Sequence, residues 1–549
     1  MEVFAREESV ALLCRRVPEL TSEQAGRLAE ALGDLPLAVA QAGAHLAETG
    51  TTVPDFLALL GERAGEVLAH GAPATYPVSL VASTRIAVDR LAAESPAAVQ
   101  LLALAAYLAP EPIPLPWFTT HPVCLPEPLA AAAEDRVVFA KLVGLLGRRG
   151  LARVEPATVQ LHRVLAAILR TPADQQRDLS TRAVRLLRAA APTDSPWANP
   201  PTWPAWRQLL PHVLVTTDTH RLLNGVDLEV AWLLGRAASY LQTSGEPSSA
   251  QPLVERALEL RSSRLGEDHP DTLDLADKLA SCLWALGHSE QACRLSEDTL
   301  TRRRRTLGED DPATLASASN LAVALWALGR YEQARQLDED TLARYRRVLG
   351  EDHPHTLNSA SNLALDLWAL RRYEQARQIA EDTLTHRRRT LGEDHPDTLI
   401  SAGNLAACLR ELGQYEQARQ IAEDTLTRRR RTLGEDHPHT LVSADHFAAC
   451  LREVGHHEQA CRLAEDTLAH MRQILDNEHP HTLRSAGNLA LCLQALGQQE
   501  QARQLGEGTL ARLRQVLGNE HPETLRWAGN LAPVLTDPGE HDHAHPQKE

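Results

Sequence analysis

Leu349-Gly350-Glu351-Asp352-His353-Pro354-His355-Thr356-Leu357 is one copy of a phrase that recurs through the second half of the chain. Its proline has counterparts at 270, 312, 396, 438, 480 and 522, so the seven stand 42 residues apart. A fixed internal period of this length marks an array of supersecondary units, each too small to bury its apolar face alone. Each unit predicts two helices. Pro354 suits a first helical turn, where its missing N–H costs nothing, and Leu357, Leu363, Leu367 and Leu370 follow at helical spacing. The turn falls at Arg371-Arg372, where neighbouring units carry Gly329, Gly413 and Gly497 as helix stops. A second helix runs from Tyr373 through Ala376, Ile379, Ala380 and Leu384 to about Leu391, and Gly392 ends it. Small residues at Ala364, Ala376 and Ala380 let the two helices pack closely.

The composition agrees and narrows the class. Of 549 residues, 43% are apolar, 23% charged and only 4% aromatic, a balance rich in the helix formers Ala, Leu, Glu and Arg. No apolar run reaches the ~18 residues of a membrane span, and Gln100 breaks the longest one, around residues 97–109. The N-terminus lacks a cationic start with an apolar core, so no signal peptide is expected. Eight cysteines are too sparse for a disulfide scaffold. A net charge of −16 opposes nucleic acid as a partner. Only three of the 56 basic residues are lysine (Lys141, Lys278, Lys548), the codon bias of a GC-rich bacterial genome. The expectation is a soluble, cytoplasmic, bacterial protein that meets no membrane.

The phrases Asn-Leu-Ala, Gly-x-Tyr-x-x-Ala and Leu-Gly-Glu-Asp-His-Pro resemble the tetratricopeptide repeat (TPR), most closely the 42-residue variety of kinesin light chains. The resemblance covers residues 226–535 and implies an all-α fold, a right-handed superhelix of stacked helix pairs. It begins with a degenerate unit, residues 231–265, with Gly245 at the turn, and ends with a lone capping helix, residues 522–535. The polar stretch 536–549 is expected to be disordered. In the first half, Leu32-Gly33-Asp34-Leu35-Pro36-Leu37-Ala38 resembles a segment of NB-ARC modules, the nucleotide switches of STAND-class signalling ATPases. A helix, a hairpin and Leu161-His162-Arg163 then suggest that family's winged-helix subdomain and its closing motif. The resemblance implies a helical segment 1–118, a winged-helix-like segment 119–172 and a helical connector 173–225. It makes Pro36 and His162 vestigial nucleotide contacts; Arg163 departs from the acidic residue of that motif.

No catalytic constellation accompanies this frame. Gly-x-x-x-x-Gly-Lys-[Ser/Thr] occurs nowhere in the chain. Losing about three charge-assisted phosphate contacts costs ~5–9 kcal/mol, so ADP or ATP affinity tighter than about millimolar is not expected. The histidines of the His-Pro phrases recur once per repeat, too far apart for one metal, and read as helix-start residues. His541, His543 and His545 lie in the tail and carry no expected metal role. Cys408, Cys450 and Cys492 share one repeat position with Ala324 and Asp366, which reads as a small-residue site. The runs 302–305, 387–389 and 428–431 read as solvated arginines complementing helix dipoles. No paired-carboxylate arrangement is apparent. The expectation is a non-enzymatic protein without cofactor or metal.

In tetratricopeptide proteins, an Asn before the Leu-Ala pair points into the concave groove. Here that position holds Asn320, Asn362, Asn404, Asn488 and Asn530, with Lys278 and His446 in two repeats. Six residues on stand Trp284, Trp326 and Trp368, then Arg410, Arg452 and Gln494. An amide ladder can bond an extended backbone and tryptophans can anchor apolar side chains. The leading expectation is therefore a scaffold or sensor that binds a protein or extended peptide, with apolar ligand residues at the Trp end and acidic ones at the Arg end. A truncated STAND-type ATPase with residual nucleotide binding is the alternative, and a transcriptional regulator the third.

Overall fold

The computed structural model describes residues 4–67, 80–170, 173–196, 200–221, 223–475, 477–519 and 521–535. The expected tail 536–549 lies outside them. The chain divides into two compact units, residues 1–240 and 241–549. No helix among the described residues is long and apolar enough to cross a membrane.

In unit 1, helices α1 (Arg6–Arg16), α2 (Ser22–Ala31), α3 (Pro36–Thr49) and α4 (Val53–Val67) enclose Leu13, Leu28, Leu32, Val39 and Phe56. Thr21 opens α2 with a reciprocal cap: its hydroxyl accepts the Gln24 N–H and its own N–H donates to the Gln24 side chain. Helices α5 (Leu80–Glu94) and α6 (Pro96–Ala105) lead into strand β1 (Ile113–Pro114), α7 (Leu115–Thr120), α8 (Leu129–Glu134), α9 (Arg136–Arg148), β2 (Arg153–Glu155) and β3 (Thr158–Gln160). The strands form one antiparallel sheet in the order β1-β3-β2. Helices α10 (Arg163–Leu169), α11 (Ala173–Ala190) and α12 (Trp203–Thr216) follow, and α13 (Asp227–Thr243) runs across the division between units.

Unit 2 continues with α14 (Pro247–Leu265) and then alternates. The first helices are α15 (Pro270–Ala285), α17 (Pro312–Ala327), α19 (Pro354–Ala369), α21 (Pro396–Glu411), α23 (Pro438–Glu453) and α25 (Pro480–Ala495). The second helices are α16 (Ser289–Leu307), α18 (Tyr331–Leu349), α20 (Tyr373–Leu391), α22 (Tyr415–Leu433), α24 (His457–Ile474) and α26 (Gln499–Leu517). Helix α27 (Pro522–Leu535) ends the stack and buries Trp527, Leu531 and Val534 against it. Every first helix begins at its proline because the residue before it is an N-cap. His353 Nδ1 accepts the His355 N–H at 3.2 Å, His395 does the same for Asp397, and Asp311 Oδ1 serves Ala313 at 2.9 Å. First helices of adjacent repeats touch one another (α15 with α17, α17 with α19, and on to α25 with α27), so they form the inner wall of the curve.

The arginine runs divide their work by helix face, and only part of each run is solvated as expected. Arg302 bonds Asp298 in its own helix at 2.7 Å and Glu267 of the preceding acidic loop at 2.8 Å; Arg428 repeats this with Asp424 and Asp394. Arg303, Arg387 and Arg429 instead point inward and are buried. Arg387 donates to the Asp397 carbonyl at 2.7 Å and to Ser401 Oγ at 2.8 Å; Arg429 makes the same pair of bonds to His439 and Ser443. Arg387 and Arg429 thus tie a second helix to the next first helix, whereas Arg303 bonds Asp274 and Asp277 of the preceding one.

Among the described residues of unit 2, one turn is strained. Arg371 adopts φ +59° where Gly329, Gly413 and Gly497 stand in sister repeats. A side chain in this left-handed conformation costs about 1–2 kcal/mol, partly offset by the stiffer unfolded chain. Arg371→Gly should therefore stabilise the protein by about 1 kcal/mol, read as a raised urea midpoint with unchanged m-value. An unchanged or lowered midpoint would show that the arginine side chain makes up the difference.

Candidate functional site

The inner wall carries the residues singled out from the sequence, but not as one uniform ladder. Asn488 Nδ2 donates to Asp445 Oδ2 at 2.7 Å, and Asn320 bonds Asp277, so these amides serve the carboxylate of the preceding first helix. Asn362 is half-buried, while Asn530 is exposed on α27. Asn404 is half-buried with its Nδ2 buried and no protein acceptor.

The tryptophans differ likewise. Trp284 is 38% exposed. Trp326 packs against Tyr331 with ring centroids 5.8 Å apart, and the Arg526 guanidinium lies 4.8 Å from the Trp368 ring centroid. The indole N–H groups of Trp326 and Trp368 are buried without a protein acceptor. Farther along, Arg410 bonds Glu411 at 2.9 Å and Arg452 bonds Glu453 at 2.5 Å, while Arg452 Nη1 is buried without a protein partner. The wall therefore presents a series of donors, from Trp326 through Trp368 and Asn404 to Arg452.

The α21–α27 stretch is electrostatically crowded. His446 stands at the Asn position of α23, and burial together with Arg484, Arg410, Arg429 and Arg526 holds its imidazole well below the usual range, hence neutral. Arg484 bonds His481 Nδ1 at 2.7 Å. Asp445 is buried, and burial pushes its carboxyl up against the pull of Arg484 and the amide of Asn488. The shared cysteine position behaves as a filler site: burial pushes the Cys408 and Cys492 thiols up to about 12, so neither is a thiolate at neutral pH. Among the described residues, no group of three or more metal-binding side chains converges.

One pair was not legible in the sequence. Asp338 on α18 and Asp366 on α19 face each other with 1% and 2% exposure. Burial first, and then the neighbouring Asp366, hold Asp338 well above the usual carboxylate range; burial pushes Asp366 up to about 8. Sister repeats place Ala380 and Ala422 at the first position and Ala324 and Cys408 at the second. The apolar core is interrupted at this point, between a cluster ending at Ala334 and Leu337 and one beginning at Leu342.

In unit 1 the two segments that resemble NB-ARC motifs meet, although 129 residues separate them. His162 caps α10 by accepting the Val164 N–H at Nδ1, which puts its proton on Nε2 for donation to the Gly33 carbonyl at 3.0 Å. Arg163 reaches the Glu30 carbonyl at 3.0 Å, and Arg6 pairs with Asp34 at 2.8 Å. Gly33, at φ +61°, has to be glycine: a Cβ there would stand 2.7 Å from His162 Nε2. Pro36 takes the first turn of α3 beside this contact.

A family model described as a tetratricopeptide repeat matches in overlapping windows, 229–305, 278–347, 314–389, 355–431, 401–473, 443–515 and 488–549. Among solved structures, a putative kinesin light chain from Podosopora anserina with nearly identical TPR-like repeats is 29% identical over 37% of this chain and 95% of its own, with TM-score 0.31. A signal transduction ATPase with numerous domains (STAND) and a tetratricopeptide repeat sensor, from Pyrococcus horikoshii, is 14% identical over 95% of this chain and 74% of its own, with TM-score 0.38. A Rap protein complexed with Competence and Sporulation Factor is 10% identical over 66% of this chain and 98% of its own, with TM-score 0.42. No curated protein matches. The windows span 229–549, more than half of the chain, and with helix pairs recurring every 42 residues they establish that the protein belongs to the tetratricopeptide repeat family.

Proposed function

We propose that unit 2 is a non-enzymatic recognition module that binds an extended peptide or protein segment along its wall of first helices, as a scaffold or sensor in bacterial signalling. The observation that carries this reading is the series of buried donors without protein acceptors: Trp326, Trp368, Asn404 and Arg452. Buried donors cost free energy unless something accepts from them, and an extended backbone offers a carbonyl every residue along one line. The pairing of Arg410 and Arg452 with their neighbouring glutamates weakens the case for an acidic ligand end at those two positions.

The test starts from a peptide array probed with the full chain, followed by calorimetry on the tightest binder. Trp326→Ala should weaken that peptide about 30-fold and Asn404→Ala about fivefold. Arg388→Ala, an exposed change on a second helix, should leave affinity within twofold. A control that weakens binding as much as the wall variants would move the site to the outer face.

The contact of Gly33 with His162 favours a second reading, in which unit 1 is part of an NB-ARC-type nucleotide switch. Calorimetric titration with ADP and ATP addresses it. Micromolar affinity abolished by His162→Ala would make this the leading reading.

A further inference from the structure

The contacts across unit 2 form a regular set. His437 Nε2–H donates to the Thr243 carbonyl at 2.9 Å, His479 to Ala285 at 3.0 Å and His521 to Ala327 at 3.2 Å, each across 194 residues. That separation is five 42-residue repeats less the 16 residues of a first helix. Each histidine therefore joins the start of one first helix to the end of the helix five repeats earlier. Successive turns of the superhelix touch.

The imidazole chemistry is fixed by its surroundings. Nδ1 of His437, His479 and His521 accepts a backbone N–H of its own helix at 3.1 Å, so the neutral ring carries its proton on Nε2. One side chain thus satisfies an orphan N–H at one helix start and an orphan carbonyl at another helix end. Two further contacts close the same seam. Gly245 lies so near Pro438 that a Cβ would stand 2.5 Å from its Cδ, and Arg526 of α27 covers Trp368.

We propose that this seam is a clasp that holds the inner wall of unit 2 shut, so that a ligand reaches Trp326 and Trp368 only when the turns part. The consequence for ligand access rests on the peptide-recognition reading; the clasp itself does not. Each stitch is a single neutral hydrogen bond of modest worth, so the closed and open arrangements lie close enough for a ligand to shift between them. The interrupted core at Asp338 and Asp366 lies within the clasped turn, where flexing sacrifices the least apolar packing.

The protein supplies its own test substitution. Asp311 caps α17 through Oδ1, as histidine does elsewhere, yet a carboxylate cannot donate to a carbonyl. The triple variant His437→Asp, His479→Asp and His521→Asp keeps the caps and loses the stitches. The control triple, His269→Asp, His353→Asp and His395→Asp, alters caps that have no helix end of unit 2 one turn before them. Both are made in the full chain and compared by small-angle scattering and by acrylamide quenching of tryptophan fluorescence, with helicity checked by circular dichroism. The stitch triple should show a larger radius of gyration and a quenching constant raised about 1.5-fold, since two of nine tryptophans gain solvent. The control should superimpose on the wild type. Matching scattering and quenching for both triples, with helicity kept, overturns the clasp. Should the stitch triple lose helicity, Arg526→Gln takes its place, and quenching unchanged from wild type in that variant is equally fatal. An opened variant that still bound no peptide would count against the recognition reading and leave the clasp standing.

Discussion

Replacing Asp338 and Asp366 together by alanine stabilises unit 2 at pH 8 by about 2 kcal/mol, the range seen when buried ionisable groups give way to apolar ones, net of a small cavity cost. Both alanines are native to sister repeats, at Ala380 and Ala324. In the unfolded chain both carboxyls titrate near pH 4. In the fold, burial holds Asp366 up to about 8 and, together with the neighbouring Asp366, holds Asp338 well above the usual carboxylate range. The folded state therefore keeps protons that the unfolded chain releases. Its stability is full below about pH 4 and falls as pH rises towards 8. The double variant lacks this loss. Urea denaturation of both proteins at pH 4.5 and pH 8 separates the cases: the gain should shrink below about 1 kcal/mol at pH 4.5. A gain of equal size at both pH values would mean that the aspartates are solvated and the pair is not closed.

How far the sequence reveals such features depends on whether the signal is local. Helix starts and ends in unit 2 are legible because Pro354 and its counterparts mark the first turn, while Gly329 or Gly392 marks the stop. The Asp338–Asp366 pair is not, because two aspartates in different helices give no sign of sharing a site until the helices are packed. The inward arginines are hidden for another reason. In a run such as 302–305 every residue has the same chemistry, and only helical phase, 100° per residue, decides that Arg303 turns into the core while Arg302 and Arg305 meet the acidic loop.

The candidate wall shows the same limit one level up. The 42-residue period places Trp326, Trp368 and Arg410 at equivalent positions on successive first helices, the helices that form the inner wall. What the period cannot carry is the pitch. A small change in the angle between neighbouring repeats, summed over five of them, decides whether His437 meets Thr243 or faces solvent. In unit 1, the touching of Gly33 and His162 follows from no pattern within either segment.

Arg303→Met should cost unit 2 about 3–5 kcal/mol at neutral pH, the penalty for leaving a buried charge without its partner. Arg303 is 2% exposed and bonds Asp277 at 3.0 Å and Asp274 at 2.6 Å. Size is not the problem, since Met471 and Leu513 fill the equivalent place in later repeats. Asp274 faces solvent and tolerates the loss, whereas Asp277 is buried and keeps only Ser317, at 2.8 Å, and Asn320. Burial already raises the Asp277 carboxyl against the pull of Arg303, and removing the guanidinium raises it further. A folded-state pKa above the unfolded value means stability lost as pH rises through it, so the penalty is largest at neutral pH and shrinks as Asp277 takes up its proton in acid. The second-site change follows from the repeats themselves. Asp277→Ser installs the residue found at Ser319 and Ser361, and in the Arg303→Met background it removes the stranded charge. The double variant should recover most of the lost stability, giving a coupling of about 2 kcal/mol or more in a double-mutant cycle read from urea midpoints. Additive penalties, with no recovery in acid, would mean that Arg303 stabilises unit 2 through the packing of its stem and that its charge contributes little.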